Sequence, residues 1–163
     1  MELHNPAEQA RSPIELAPVM DELRVLLEPA YRESDMELGW EIEDSLPLVW
    51  ADRYGLIQVF LNLAKNSRRA MQNATEKKLA VSASVQDETV IVRFEDTGTG
   101  IANPENLFRP FQRDAQATGL GLYVSLALVK SFGGDLVYEP RDRGCCFAVA
   151  LQAITHAKGA SDV

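Results

Sequence analysis

The stretch LIQVFLNLAKNSRRAM, residues 56–71, combines the apolar period of a buried helix with a line of polar side chains. Asn62 and Asn66 are four residues apart and share one helix face, and Arg69 is adjacent on that face. An amide oxygen ligates magnesium, an amide nitrogen donates to phosphate oxygens, and arginine forks onto phosphate. This face therefore suits a metal-bound polyphosphate, and a solvated polar face is the alternative.

Composition and charge limit the class of protein. The 163 residues are 46% hydrophobic and 25% charged, which predicts one compact globular domain. No segment approaches the ~18 consecutive apolar residues of a membrane helix, and the first residues lack the apolar stretch of a secretory signal. We therefore expect a cytoplasmic domain without membrane contact, within a parent protein that could itself be membrane-anchored. The net charge of -8 argues against a nucleic-acid partner.

The two cysteines, Cys145 and Cys146, are adjacent in a predicted strand. Successive strand residues point to opposite faces, which disfavours a mutual disulfide or a shared metal. We expect two small strand residues with free thiols.

Hydrophobic periodicity predicts an alternation of helices and strands. In chain order the predicted elements are a helix over 18–31, strands over 36–43 and 46–51, a helix over 53–72 capped by Asp52, a hairpin of strands over 78–86 and 89–96, a lid over 97–118, a helix over 119–132, and strands over 135–140 and 145–153. This order predicts a two-layer α/β sandwich, in which about three helices pack on one side of a mixed, mostly antiparallel sheet. The domain would span residues 13–152, between a linker or tail over 1–12 and a tail over 153–163.

Two further stretches carry polar chemistry. In VIVRFEDTGTGI, residues 90–101, an apolar strand ends at Asp96, and glycines then allow a tight turn. A carboxylate held there accepts a hydrogen bond from an exocyclic amine such as that of adenine. In ATGLGLYVS, residues 117–125, glycines open a helix whose free N–H groups form a phosphate site. Each motif alone is also compatible with an ordinary turn or a tightly packed helix start.

Taken in order, these motifs resemble those of the ATP-binding catalytic domain of bacterial sensor histidine kinases, a member of the GHKL superfamily shared with gyrase, MutL and the heat-shock chaperone ATPases. Residues 62–71 resemble the N box, 96–101 the first glycine box, 107–111 (LFRPF) the phenylalanine box, and 118–136 the second glycine box. The resemblance spans roughly residues 15–151 and implies the Bergerat-type ATP-binding fold.

The resemblance also implies roles for individual residues. Asn66 would ligate magnesium, Asn62 and Arg69 would contact phosphates, Asn66 and Arg69 would align ATP for transfer, and Asp96 would bind the adenine amine. The other implied ATP contacts are Gly98, Gly100 and Ile101 in the adenine pocket, Phe108 and Phe111 as lid anchors, Arg113 on the lid, and Thr118, Gly119, Leu120, Gly121 and Leu122 around the phosphates.

The chain departs from the family pattern at three positions. Ala117 stands where a glycine is usual, Arg109 where a glutamate is frequent, and Cys145 where a threonine commonly helps to hold adenine. Neither His4 nor His156 lies in a phosphoacceptor box. We therefore expect a separate dimerisation domain to supply the acceptor histidine, a response regulator to act downstream, and the isolated domain to be monomeric.

The expected activity is magnesium-dependent transfer of the ATP γ-phosphate to that histidine, with slow hydrolysis, because Asn62 replaces the glutamate that activates water in hydrolytic relatives. Three alternatives remain: a nucleotide-responsive module without catalysis, an anti-sigma-factor serine kinase of the same superfamily, and a purely structural domain.

Overall fold

The computed structural model describes residues 11–100, 105, 107–109 and 121–154. Its helices are α1 (Leu16–Glu33), α2 (Arg53–Ala70) and α3 (Gly121–Ser131), and its strands are β1 (Ser12–Ile14), β2 (Glu37–Ile42), β3 (Val49–Ala51), β4 (Lys78–Gln86), β5 (Thr89–Asp96), β6 (Asp135–Glu139) and β7 (Cys145–Gln152). Within these ranges, no helix combines the length and the apolar character needed to cross a bilayer.

Five strands form the main sheet, in the order β2-β4-β5-β7-β6. β4 and β5 form the predicted antiparallel hairpin, and the turn between them places Asp87 at a φ of 58°. β5 pairs with β7 and β7 with β6 in antiparallel fashion, whereas β2 runs parallel to β4. The sheet is therefore mixed and mostly antiparallel, as predicted.

The short strand β1 pairs with β3 in a separate two-stranded sheet. The sequence did not predict β1, because three residues that include Pro13 are too few to show a period. The N-terminal end of the fold is thus attached to the segment that leads into α2.

One face of the sheet is buried under the helices. Alternate residues of β4 and β5, such as Val81 and Phe94, are at most 2% exposed, because successive strand residues point to opposite faces. Phe94 packs against Phe60 of α2, with ring centroids 5.4 Å apart and the ring planes tilted by 38°. The two-layer α/β sandwich with helices on one face is therefore confirmed.

Helix α2 begins and ends close to its predicted bounds. The Asp52 Oδ2 atom accepts a hydrogen bond from the Gly55 backbone N–H at 2.8 Å, so the predicted N-cap is confirmed. A Cβ atom on Gly55 would lie 3.3 Å from the Phe132 ring. Glycine at this position therefore lets the residue that follows α3 approach the first turn of α2.

Candidate nucleotide-binding site

Asn62 connects α2 to the beginning of α3. Its Nδ2 atom donates to the Ser125 Oγ atom at 3.0 Å and to the Gly121 backbone oxygen at 3.3 Å. Ser125 is fully buried, so this contact is shielded from solvent. The Asn62 amide thus fixes the start of α3 beside the N box, and its predicted phosphate contact stays a prediction.

Asn66 and Arg69 lie together one turn further along α2. An Arg69 Nη atom lies 3.5 Å from the Asn66 Oδ1 atom, and both residues are half-buried. In the described part of the chain, no three His, Cys, Asp or Glu side chains cluster as a metal site. A cation here would depend on the Asn66 amide oxygen, water and the ligand's own phosphates. Magnesium fits such a donor set, since it usually keeps several waters and binds through substrate phosphates.

The loop after β5 packs against the last turn of α2. The Thr99 N–H donates to the Ala70 backbone oxygen at 3.3 Å. A Cβ atom on Gly98 would lie only 2.8 Å from the same oxygen, and Gly100 has a φ of 85°. Both glycines are therefore required by the backbone, and they place the first glycine motif next to the N box.

Asp96 ends the buried row of β5, so its side chain points into the layer between sheet and helices. It is 2% exposed. Its Oδ1 atom accepts from the Gly98 N–H at 2.8 Å and the Cys145 N–H at 3.4 Å, and its Oδ2 atom accepts from the Cys145 thiol at 3.3 Å. Because each carboxylate oxygen accepts about two hydrogen bonds, Oδ2 can receive one more donor, such as an amine.

Cys145 faces Asp96 directly across the β5–β7 ladder. Burial raises the pKa of its thiol well above the ordinary value, and the Asp96 charge raises it further. The group is consequently protonated at neutral pH and acts as the donor to Asp96. A thiol at this position thus still supports the carboxylate, although it is a weaker donor than a hydroxyl.

Cys146 points to the other face of the sheet, where its thiol lies 3.7 Å from a Glu139 carboxylate oxygen. Burial raises its pKa to about 12, with a further contribution from Glu139. Both cysteines are free, as predicted from their adjacency.

The remaining predicted site residues divide into two groups. Phe108 is half-buried and meets Phe147 edge to face, with ring centroids 6.3 Å apart, and Leu122 packs against the core. Gly121 lies beside Asn62, as described above. The predicted contacts Ile101, Phe111, Arg113, Thr118, Gly119 and Leu120 and the departure at Ala117 lie outside the described residues.

Sequence reasoning did not single out Gly144, Tyr31 or Ser67. Gly144 has a φ of 72°, and a Cβ atom on it would lie 1.9 Å from the Asp96 backbone oxygen. The Tyr31 hydroxyl donates to the Ala64 backbone oxygen at 2.7 Å. Burial raises the pKa of Tyr31, and the Asp96 charge raises it further. Ser67 is 2% exposed. Only Gly144 carried a signal in the sequence, as the glycine of the turn RDRG.

Comparison with known proteins gives the class to which this fold and site belong. The family model described as histidine kinase-, DNA gyrase B-, and HSP90-like ATPase matches residues 51–154. The chain therefore belongs to this family, whose members bind ATP.

Within the family, the chain is similar to sensor histidine kinases. Sensor protein FixL of Bradyrhizobium diazoefficiens is 29% identical over 133 residues, which cover 79% of this chain and 26% of FixL. The catalytic domain of histidine kinase ThkA matches with a TM-score of 0.76 and 26% identity, covering 88% of this chain and 95% of that domain. ThkA in complex with the response regulator protein TrrA matches with a TM-score of 0.74 and 25% identity over 88% of this chain and 42% of ThkA. The chain thus spans about a quarter of the FixL length and nearly a whole solved catalytic domain.

Proposed function

We propose that this chain is the magnesium-dependent ATP-binding catalytic domain of a sensor histidine kinase, which transfers the γ-phosphate of ATP to a histidine on a separate phosphoacceptor domain. The observation that carries the proposal is the buried Asp96 carboxylate. Three donors orient it, and its Oδ2 atom can accept one more hydrogen bond. This atom lies in the layer where α2 packs against the loop that follows β5. A buried carboxylate is most stable when its remaining acceptor capacity is also used, so a donor such as the adenine amine is the expected partner.

The polar face of α2 would receive the other end of the nucleotide. Asn66 would hold magnesium, which supplies charge neutralisation on the β- and γ-phosphates when bound. Arg69 lies beside Asn66 and would donate to phosphate oxygens. Phosphoryl transfer asks the protein mainly for such positioning, since little covalent chemistry is needed.

Transfer to a histidine is favoured over hydrolysis by the side chain at position 62. The Asn62 amide cannot act as a general base, and its nitrogen is engaged with the start of α3. No group at this position would activate water, so the isolated domain should hydrolyse ATP slowly. We further propose a cytoplasmic, monomeric domain that acts with a dimerisation domain and, downstream, a response regulator.

The test is to incubate the chain with γ-labelled ATP, magnesium and a histidine-bearing helical hairpin from a similar histidine kinase such as ThkA. We expect label on the hairpin that is stable in alkali and lost in acid, as a phosphohistidine should be. A hairpin with its histidine replaced by alanine should receive none.

Two results would contradict the proposal. Bound ATP without any label on several hairpins would favour a nucleotide-responsive module without catalysis. Label that is stable in acid and lost in alkali would favour a serine kinase.

A further inference from the structure

Ser67 carries a polar atom that the fold leaves without a partner. The residue is 2% exposed, and its Oγ atom makes no hydrogen bond within the described part of the chain. Serines within helices usually face solvent or donate to the carbonyl one turn earlier. A buried hydroxyl that does neither is costly, and it indicates that a bound group or water completes the site.

The neighbours of Ser67 place it close to the base end of the proposed nucleotide site. Ala64 and Ser67 lie on the buried face of α2, and the buried Met71 directly follows the helix. The Ala64 carbonyl accepts a hydrogen bond from the Tyr31 hydroxyl, whose pKa is raised by burial and then by the Asp96 charge. The Met71 sulfur lies 3.7 Å from the Thr97 hydroxyl, one residue after Asp96. Ser67 therefore lies on α2 between Ala64, which contacts Tyr31, and Met71, which contacts Thr97 at the end of β5.

An adenine that donates its amine to Asp96 needs a second hydrogen bond, from a protein donor to its N1 atom. Its Watson–Crick edge presents an amine, which donates, beside the N1 atom, which accepts. Asp96 suits the amine, but N1 needs a hydrogen-bond donor. The Cys145 thiol already donates to Asp96, whereas the Ser67 hydroxyl is uncommitted. Guanine and hypoxanthine present an accepting O6 in place of the amine, which the Asp96 carboxylate would oppose, acceptor against acceptor, whereas a hydroxyl can donate or accept and would tolerate either N1.

We propose that Ser67 is a further adenine contact, with its hydroxyl donating to adenine N1, directly or through one bound water, while Asp96 accepts from the amine. This inference rests on the proposed nucleotide site and adds a residue to it. Removing the Ser67 hydroxyl should weaken ATP binding without lowering the stability of the nucleotide-free protein, since the hydroxyl makes no hydrogen bond to the described residues there.

The test compares ATP with 1-deaza-ATP, in which N1 is replaced by carbon, and with 7-deaza-ATP as the control analogue. The dissociation constants are measured with magnesium for the parent chain, Ser67→Ala and Ser82→Ala. Ser82 is a half-buried serine on β4, out of phase with the buried row, and serves as the matched control variant. The melting temperature of each nucleotide-free variant is recorded alongside.

We expect the parent and Ser82→Ala to bind 1-deaza-ATP about five- to tenfold more weakly than ATP. Ser67→Ala should bind both equally, with a melting temperature no lower than that of the parent. An equal 1-deaza penalty in the parent and Ser67→Ala, or no penalty in the parent, would overturn the role of Ser67 while leaving the nucleotide site intact. A parent chain that binds no ATP would overturn both proposals.

Discussion

Replacing Gly144 with alanine is expected to destabilise the protein by about 3 to 5 kcal/mol, the range of the most damaging single substitutions. Gly144 has a φ of 72°, which alanine adopts only with strain, and the new Cβ atom would lie 1.9 Å from the Asp96 backbone oxygen. Either the turn or the end of β5 must move. Urea denaturation at neutral pH measures the change.

Gly39→Ala is the matched control for this substitution. Gly39 also lies in the sheet, but a Cβ atom there would make only an ordinary 3.5 Å contact with the Lys78 side chain. We expect its unfolding free energy to stay within about 1 kcal/mol of the parent. If Gly144→Ala were equally mild, the close approach of this turn to Asp96 would be wrong.

Substituting Asp96 with asparagine should weaken ATP and ADP binding by about 10- to 100-fold, because it removes a charged acceptor. The amide keeps the shape of the side chain but has one accepting oxygen. The Gly98 and Cys145 N–H groups would claim that oxygen. The NH₂ group would then face the adenine amine, donor against donor. Calorimetric titration of both nucleotides measures the loss.

The neighbouring residue Glu95 provides the control. Its carboxylate is exposed and pairs with the Arg141 guanidinium at 2.8 Å. Glu95→Gln removes the same charge one residue away, so nucleotide affinity should stay unchanged. Equal losses in the two variants would attribute the effect to general electrostatics instead of a contact with the base.

The regular elements and the layering could be predicted from the sequence because they depend on local periodicity. The β4–β5 hairpin and the Asp52 cap are two examples. The parallel pairing of β2 with β4 could not, since the periodicity of a strand does not say which strand lies beside it.

The surroundings of Asp96 could be predicted only in part. Its position after an apolar strand and before two glycines is local information, and the sequence contains it. Its contact with Cys145 joins residues 49 apart, and the contact of Tyr31 with Ala64 joins residues 33 apart. Whether a buried hydroxyl such as Ser67 has a partner depends on packing from several elements, which no local pattern reports.

We infer above all that α2 and the end of β5 form one nucleotide cleft, with magnesium at Asn66 and the base at Asp96. The most direct test is the ATP dissociation constant of the parent and of Asn66→Ala, each measured in excess magnesium and again with a chelator. We predict that the parent loses affinity when magnesium is removed, whereas Asn66→Ala binds weakly and equally in both conditions. An Asn66→Ala variant with the same affinity and the same magnesium dependence as the parent would contradict the claim.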